Sequence, residues 1–552
     1  MKRIFTLFLI CSISLLAQAQ ERYLDKIFTE VEVSTEVYGL NATVIQLATA
    51  GEAVPQPLVM DVYQPVGDTE TNRPFALVLH TGNFLPEGVN QQIPGSFRDE
   101  VMVDICTELA QRGYVAATAD YRTGWNPGAS TQPLRALGII QAAYRGVQDG
   151  NTAVRFMRAL AQDGGNPYNI DPTRITAIGQ GTGGYIVYGM VGLDNYEEIL
   201  TTESGPAKFL LDTDGDGAPE TPMVVPVYHG DVEGKELAIA PDGAFGLPAG
   251  DTTNYANVPN FANGDPISSR VSFAVTLGGA LGDVSWLNDN DIPMVNIQAI
   301  NDEFAPYNDA VLTVPGSMLN VVRVQGVQVV GQSQLDNGAN QIFYDATFDD
   351  PTTALARENS AIAGHDYFEG VFPFNLPPNS FGLDEGLGIE WWDPNAPTPL
   401  FLGAMGAPWN AVPHPSGAGT FHEVGLLRNE NMSAEKARGN LETCMNYILP
   451  RACVALDLPC RANFDGGDAT EDLLSTDLVS VTPNPASDFI DLKSDKQIIS
   501  VELMSIEGKV ISRVNNLSHH NYRLDNLSAL TGMHILNVRF EEGLVSKTIH
   551  LD

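Results

Sequence analysis

Continuous apolar runs alternate with stretches of helical periodicity along residues 22–460. An apolar run without polar alternation is typical of a strand that is buried on both faces of a parallel sheet. Strands are predicted at 75–79, 114–119, 174–178, 272–277 and 294–300, and helices at 97–112, 134–147 with a second run to 160, 185–191 and 433–449. Strands that alternate with helices predict an α/β domain with a mostly parallel sheet and helices on both faces.

Two long segments, 196–268 and 308–410, interrupt this alternation. Both are rich in Gly, Pro, Asn and Asp, which is typical of insertions that form lids or binding loops. The second carries Trp391, Trp392 and Trp409, and we expect these side chains to pack the insertion onto the core.

The pattern changes near the end of the chain. Residues 461–477 are acidic and contain glycine, which indicates a linker between domains. Residues 478–552 alternate apolar and polar positions in short runs, which predicts a small all-β sandwich.

The first residues have the pattern of a secretory signal. Lys2 and Arg3 precede an apolar run at 4–16, and Ala17-Gln18-Ala19 follows it. This arrangement predicts a signal peptide at 1–19 and a mature chain that starts at Gln20. The run is too short to span a bilayer, and we expect no transmembrane segment in the mature chain.

The 552 residues have a formal net charge of −38 and a pI near 4.4. This acidity excludes non-specific binding to nucleic acid, which requires a basic surface. A hydrophobic content of 43% is enough for a large packed core. The composition therefore indicates an exported, soluble, globular protein.

Four cysteines remain after the predicted signal: Cys106, Cys444, Cys453 and Cys460. An even number in an oxidising compartment suits disulfides, and four cysteines allow three pairings. Proximity in sequence favours Cys453 with Cys460. A zinc site is disfavoured because no histidine lies at ligand spacing near them.

A glycine-rich turn follows the strand at 174–178. The segment Gly179-Gln180-Gly181-Thr182-Gly183 leads from that strand into the next predicted helix. A G-x-S-x-G nucleophile elbow has this strand–turn–helix context, with serine at the centre. Here the central residue is Gly181, which has no side chain to attack a carbonyl.

Three further groups lie at positions where strands or loops end. His80-Thr81-Gly82-Asn83-Phe84 follows the strand at 75–79, Asp302 follows the strand at 294–300, and His422 precedes the last helix. In their order along the chain these groups fit an oxyanion loop, a triad acid and a triad histidine. His414 and His365 fit the histidine position less well.

Together these motifs resemble the α/β-hydrolase superfamily, in particular its secreted esterase- and lipase-like members, over residues 50–456. The resemblance implies an α/β-hydrolase fold, catalytic positions Gly181, Asp302 and His422, and no catalytic cofactor. It also implies oxyanion donors at Gly82 or Asn83 and at Thr182.

Three functions stay open at this point. With Gly181 at the nucleophile position, the chain is expected to be weakly active or inactive and to bind a ligand. The alternatives are an active carboxylic ester hydrolase with a non-standard nucleophile and a calcium-dependent surface adhesin.

An acidic loop lies in the first insertion. Asp212, Asp214 and Asp216 alternate with Thr213 and Gly215, and Glu220 follows. This spacing begins as a calcium loop does, but Met223 stands where an EF-hand has its closing glutamate. The sequence favours a Ca²⁺ site at Asp212, Asp214, Asp216 and Glu220 over a solvated turn.

The C-terminal residues carry a second resemblance. Pro483-Asn484-Pro485, the Gly508 turn, Gly532 and Lys547 lie in "VSVTPNPASDFIDL", "IISVELMSIEGKVI", "LSALTGMHILNVRF" and "SKTIHL". These runs resemble the type A sorting domain of the type IX secretion system of Bacteroidetes, here at 478–552. The resemblance implies the secretion machinery as a partner, and a secreted or outer-membrane surface location.

Overall fold

The structure is a computed structural model. It describes residues 20–203, 208–259, 266–288, 291–302, 304–314, 316–399, 406–464, 475–505, 510–514, 517, 519–525, 527–528, 530–540 and 543–551. The predicted signal peptide at 1–19, residues 465–474 of the predicted linker, and Gly508 lie outside the described residues. The chain divides into two compact units, Met1–Phe464 and Asp465–Asp552.

A mostly parallel sheet forms the centre of the first unit. The strands of this unit are β1 (Val31–Thr43), β2 (Val54–Pro65), β3 (Arg73–Leu79), β4 (Val115–Ala119), β5 (Ile170–Gln180), β6 (Leu210–Leu211), β7 (Thr221–Pro222), β8 (Ala238–Ile239), β9 (Thr252–Asn254), β10 (Phe273–Leu277), β11 (Met294–Ala299), β12 (Asp309–Thr313), β13 (Asn320–Gln325) and β14 (Val371–Phe374). Eight of them form the central sheet in the order β1-β2-β4-β3-β5-β10-β11-β14. The strand β2 pairs antiparallel with both of its neighbours, and the remaining pairs are parallel. The α/β class with a mostly parallel sheet is thereby confirmed.

Helices cover both faces of this sheet. They are α1 (Leu47–Ala50), α2 (Glu100–Gln111), α3 (Gln132–Gln162), α4 (Thr182–Gly192), α5 (Glu197–Leu200), α6 (Pro226–His229), α7 (Val327–Asn337), α8 (Gln341–Tyr344), α9 (Pro351–Ala363), α10 (Phe421–Leu426) and α11 (Ala434–Ala455). Buried side chains of α3 and α4 share one core cluster with the sheet, and those of α2, α8, α9 and α11 share another. Among the described helices, none is long and apolar enough to cross a membrane.

The strands at the edges of the sheet are the ones that the apolar pattern of the sequence did not predict. The long hairpin of β1 and β2 forms one edge, and β14 forms the other. The second predicted insertion contains β12 to β14 and α7 to α9, so much of it has regular structure. Most residues in the first half of β1 are exposed, which explains why it has no continuous apolar run.

The cysteines lie in the first unit. A disulfide joins Cys453 at the end of α11 to Cys460, which is the pair that proximity in sequence favoured. Cys106 of α2 and Cys444 of α11 are free and fully buried. Burial raises the pKa of both thiols, so both stay protonated and unreactive in the folded state.

The second unit consists of two antiparallel sheets. Its strands are β15 (Val479–Thr482), β16 (Phe489–Ile498), β17 (Ser500–Ser505), β18 (Val510–Val514), β19 (His519–Asp525), β20 (Gly532–Phe540) and β21 (Gly543–Leu551). One sheet has the order β15-β16-β19 and the other β18-β17-β20-β21. Buried residues of both sheets, including Ile490, Leu503 and Val538, share one core. The predicted all-β C-terminal region is confirmed.

Candidate functional site

A sharp turn joins the end of β5 to the start of α4, and Gly181 is its central residue. Gly181 has φ 53° and ψ −112°, a combination that strains residues with a side chain. Its N–H donates to the Leu277 carbonyl of the neighbouring β10 at 2.9 Å. The turn therefore has the sharp backbone conformation expected of the predicted elbow, with Gly181 at its centre.

The other glycines of the turn are required by close backbone contacts. A Cβ on Gly179 would overlap the carbonyl of Gly183, and a Cβ on Gly183 would overlap the carbonyl of Leu79 in β3. A Cβ on Gly184 would overlap the carbonyl of Gly278 after β10. Main chain cannot move aside as a flexible side chain can, so glycine is needed at each of these positions.

Thr81 fills the space beside Gly181. A Cβ built on Gly181 would overlap Thr81 Oγ1 and would lie 3.0 Å from Thr81 Cβ. Thr81 belongs to the predicted oxyanion loop that follows β3. The space for a nucleophile side chain is therefore occupied by a threonine from a different loop.

The predicted oxyanion donors lie at the same turn. The Asn83 N–H donates to Thr182 Oγ1 at 2.7 Å. Asn83 and Thr182 both line the cavity above the elbow, and the adjacent Gly82 is buried with φ 134°. One of the two backbone donors is thus already satisfied by a threonine hydroxyl, where a substrate oxyanion would need it free.

Asp302 lies close to Gly181, on the loop that follows β11. Its Oδ1 accepts hydrogen bonds from the N–H groups of Phe304 at 2.7 Å and Ala305 at 3.0 Å. Its Oδ2 lies 3.7 Å from the position of a Cβ on Gly278, whose loop also contacts Gly181. The structure therefore brings the predicted acid and the predicted nucleophile position together.

His422 does not line this cavity. Its Nδ1 accepts a hydrogen bond from the indole N–H of Trp392 at 3.1 Å. The helix α10 and the turn after it direct a different face toward the cavity, formed by Phe421, Val424, Gly425 and Arg428. His422 follows Phe421 by one residue, so it points away from that face. His422 is therefore not among the described residues that line the cavity with Gly181 and Asp302.

The other two histidines are also engaged. His414 lines the cavity, but its Nε2 lies 3.0 Å from the Gln91 carbonyl and its Nδ1 lies 2.7 Å from Ser416 Oγ. His365 Nε2 hydrogen-bonds the Tyr307 hydroxyl at 2.7 Å, and its Nδ1 lies 2.7 Å from the Asp366 carbonyl. Both nitrogens of each histidine are therefore already hydrogen-bonded.

The cavity above the elbow, called the elbow cavity below, has a volume of about 310 Å³. Aromatic, amide and acidic side chains line it, among them Trp125, Tyr185, Trp392, Asn429, Asp302 and Glu390. Trp392 and Trp409 also form a small core with Phe421, so these tryptophans pack the second insertion.

Glu390 is a functional candidate that sequence reasoning missed. Gln180 Nε2, next to Gly181, donates to Glu390 Oε1 at 2.6 Å. Burial raises the pKa of Glu390 to about 7, with the Gln180 hydrogen bond opposing this shift and the nearby charge of Asp302 adding to it. The elbow cavity thus contains one carboxyl group that is partly protonated at neutral pH and can donate a hydrogen bond to a ligand.

The acidic loop between β6 and β7 brings its carboxylates together. One oxygen from each of Asp212, Asp214, Asp216 and Glu220 can be chosen so that all lie within 4.8 Å of one another, and all four residues are exposed. Hydrogen bonds from Thr213 lower the pKa of Glu220, so its carboxylate stays ionised. Carboxylate oxygens at this density are the ligands that Ca²⁺ prefers.

One family model matches the second unit of the chain. Residues 480–551 match the family described as a secretion system C-terminal sorting domain. Within this region Lys547 Nζ donates to the Val479 carbonyl at 2.6 Å, and the His550 N–H donates to Asn484 Oδ1 at 2.8 Å. No curated protein matches the chain at a significant level.

Solved structures similar to the chain include an esterase of Thermogutta terrifontis. Its propionate-bound form is 16% identical over 50% of this chain and 74% of that one, with a TM-score of 0.25. Its native form is 17% identical over 52% and 76%, with a TM-score of 0.25. The form phosphorylated by paraoxon is 16% identical over 50% and 73%, with a TM-score of 0.26.

The fold follows from the first unit's own topology. Its eight-stranded sheet has one antiparallel strand, β2, and helices on both faces, and a tight elbow joins β5 to α4. An acidic residue follows β11 at the same edge of the sheet. The chain therefore joins an α/β unit with a mostly parallel eight-stranded sheet to residues 480–551, which match a secretion system C-terminal sorting domain.

Proposed function

We propose that this protein is an exported ligand-binding protein in which the esterase-like cavity is kept and ester hydrolysis is lost. The observation that carries the proposal is the pair of Gly181 and Thr81 at the elbow. Gly181 has no nucleophile, and the Thr81 side chain occupies the space that one would need.

Two further features of the site support this proposal. The Asn83 N–H is taken by Thr182, and His422, which does not line the elbow cavity, accepts a hydrogen bond from Trp392. A serine hydrolase needs a free oxyanion hole and a base beside its nucleophile. The cavity itself remains, with aromatic faces and polar groups that suit a small ligand.

The test is the reactivity of wild-type protein toward esters and a serine-directed fluorophosphonate. We expect p-nitrophenyl butyrate to be hydrolysed no faster than in buffer, because loss of a nucleophile costs on the order of 10⁶ in rate in a serine protease. We also expect no covalent adduct with the fluorophosphonate by mass spectrometry. Saturable hydrolysis that is lost in Asp302→Asn would contradict the proposal.

One observation favours the alternative of an active hydrolase with a non-standard nucleophile. The Thr81 hydroxyl lies beside Gly181, at the place a nucleophile would occupy. Thr81→Val removes the hydroxyl and keeps the shape, so turnover that disappears in this variant would assign the nucleophile to Thr81. Among the described residues that line the cavity, His414 is the one histidine, and both of its nitrogens are engaged. We therefore place this alternative second.

The C-terminal domain supports an exported location. We propose that the unit formed by residues 478–552 is read by the secretion machinery, and that the rest of the chain reaches the cell surface or the medium. The predicted signal peptide at 1–19 agrees with this route.

We further propose that Asp212, Asp214, Asp216 and Glu220 bind Ca²⁺, the cation on which the adhesin alternative depends. Binding to the folded state alone stabilises it by about 3 kcal/mol when Ca²⁺ is at 100 times its Kd. We expect the melting temperature to rise when Ca²⁺ is added and to fall back to its value without Ca²⁺ when a chelator is added.

Asp214→Asn should remove this response to Ca²⁺. Asp336→Asn, which changes an exposed carboxylate on α7, should keep it and serves as the matched control. A wild-type melting temperature that is the same with Ca²⁺ and with chelator would exclude the site.

A further inference from the structure

A second cavity lies beside the elbow cavity and is called the side cavity below. Its volume is about 850 Å³, and the two cavities share Leu85, Val89 and Trp125 in their walls. Apolar side chains from the loop after β1, from α3 and from the first insertion line most of it; these include Val44, Ile45, Leu134, Leu137, Phe245 and Leu247. It therefore has an extended apolar surface outside the site described above.

A buried arginine lies in the wall of this apolar cavity. Arg145 of α3 is 7% exposed, and its Nη2 donates to the Gly124 carbonyl at 2.6 Å. In the part of the chain that the structure describes, its Nε is buried without a hydrogen-bond partner. Burial lowers the pKa of Arg145 to about 9, and repulsion from Arg122 adds to this shift.

Asp149, whose charge partly opposes the lowering of the Arg145 pKa, is already used by another arginine. Asp149 receives hydrogen bonds from the Arg122 N–H at 2.8 Å and from its Nε at 3.0 Å, and it forms an ion pair with Arg122 Nη2 at 2.8 Å. Among the described residues, no carboxylate forms an ion pair with Arg145. The side cavity therefore contains a buried positive charge without a matching negative one.

A second unsatisfied group lines the same cavity. His229, at the end of α6, is 7% exposed, and its Nδ1 lies 3.0 Å from both the N–H and the carbonyl of Val225. Its Nε2 is buried and has no partner in the described part of the chain. Burial lowers the pKa of His229 to about 4, and the charge of Arg145 adds to this shift. The neutral ring can donate from Nε2 when Nδ1 accepts the Val225 N–H.

We propose that the side cavity binds a monocarboxylic acid with a hydrocarbon chain, its carboxylate contacting Arg145 and His229 and its chain lying along the apolar wall. A buried charge is costly unless it is paired and hydrogen-bonded, and a carboxylate supplies both charge and acceptors. The planar guanidinium matches the geometry of a carboxylate.

The test compares octanoate with 1-octanol by isothermal titration calorimetry on the full chain. Octanoate should bind more tightly than octanol, because the alcohol cannot neutralise Arg145. Decanoate should bind more tightly than octanoate, by about fourfold for each added CH₂. The dependence of the affinity on chain length tests the contact with the apolar wall. The dependence of the affinity on the head group tests the contact with Arg145.

Variants locate the head group. Arg145→Met should weaken octanoate binding by about 10-fold to 100-fold, leave octanol binding unchanged and thereby show that the cavity is intact. Arg145→Lys keeps the charge and should retain part of the affinity. His229→Gln should weaken octanoate by a smaller factor. Arg428→Met, which removes the arginine that lines the elbow cavity, is the matched control and should leave octanoate binding unchanged.

Two results would overturn the proposal. One is equal affinity for octanoate and octanol, which would mean that Arg145 takes no part. The other is loss of octanoate binding in Arg428→Met with full binding in Arg145→Met, which would assign the carboxylate to the elbow cavity. This test is independent of ester hydrolysis, so it stands whether or not the elbow is catalytic.

Discussion

Gly181→Ser alone should lower the free energy of unfolding by about 3 kcal/mol, and Thr81→Gly in the same chain should recover most of that loss. The added Cβ would overlap Thr81 Oγ1, and serine would also take up the strained backbone that glycine tolerates. Removing the Thr81 side chain relieves the first of these effects. Urea denaturation of wild type, both single variants and the double variant measures the coupling, which should be about 1–3 kcal/mol.

A second glycine separates overlap from backbone strain. Gly165 has φ 76° with no atom within 4 Å of a Cβ placed on it, so Gly165→Ser adds strain without overlap. The loss of stability that it causes should be the same in the wild-type chain and in the Thr81→Gly chain. Additive effects of Gly181→Ser and Thr81→Gly would show that the two positions do not compete for space.

The double variant should still not hydrolyse esters at a useful rate. It would hold a serine with room for its side chain, but His422 does not line the elbow cavity and remains hydrogen-bonded to Trp392. In subtilisin, loss of the triad histidine costs about as much as loss of the serine. Strong turnover by the double variant would instead support His422 as the triad histidine, after a rearrangement of α10.

Asp149→Asn should lower the free energy of unfolding by about 3–5 kcal/mol. Asp149 and Arg122 have fully buried side chains, and Asp149 is the carboxylate that balances Arg122. Without it, Arg122 and the nearby Arg145 would both be buried cations with no counter-charge. The measurement is urea denaturation of the full chain, in which the unfolding transition of the first unit is monitored.

An exposed ion pair provides the control for this variant. Asp194 and Arg270 are 3.0 Å apart with side chains 41% and 55% exposed, so Asp194→Asn should change stability by about 0–1 kcal/mol. Replacing both buried partners, in Arg122→Met/Asp149→Leu, should recover much of the loss because no charge is left unpaired. A loss in Asp149→Asn no larger than in Asp194→Asn would contradict the expectation.

The central strands could be predicted because their signal is local. Every residue of β3, β4, β10 and β11 is buried, and so are the last six residues of β5. Most of these buried residues are apolar, so each strand leaves a local apolar signal in the sequence. The strand β14 has only four residues and includes Pro373, so it has too little pattern to be distinguished from the surrounding loops. The elbow and Asp302 could also be predicted, because each directly follows one of these strands in the sequence.

The remaining features of the site depend on contacts between distant parts of the chain. Thr81 meets Gly181 across two loops, and Gln180 meets Glu390 across 210 positions. The direction in which the His422 side chain points depends on how the short helix α10 packs. The position of His422 before α11 in the sequence does not reveal that packing. Arg145 looks like any charged residue within a helix until the fold buries it.

The long helix α11 also determines which of its cysteines can form a disulfide. Cys444 and Cys453 lie on this helix, and Cys453 is bonded to Cys460, seven positions further on. In an unfolded chain the Cys444–Cys453 and Cys453–Cys460 loops would have similar closure entropy, so chain statistics would hardly discriminate between them. Once the helix forms, Cys444 and Cys453 are about 13 Å apart at 1.5 Å per residue, beyond the roughly 7 Å that a disulfide can bridge. The helix therefore acts as a spacer that prevents mispairing and leaves Cys444 reduced in the core while its neighbour is oxidised.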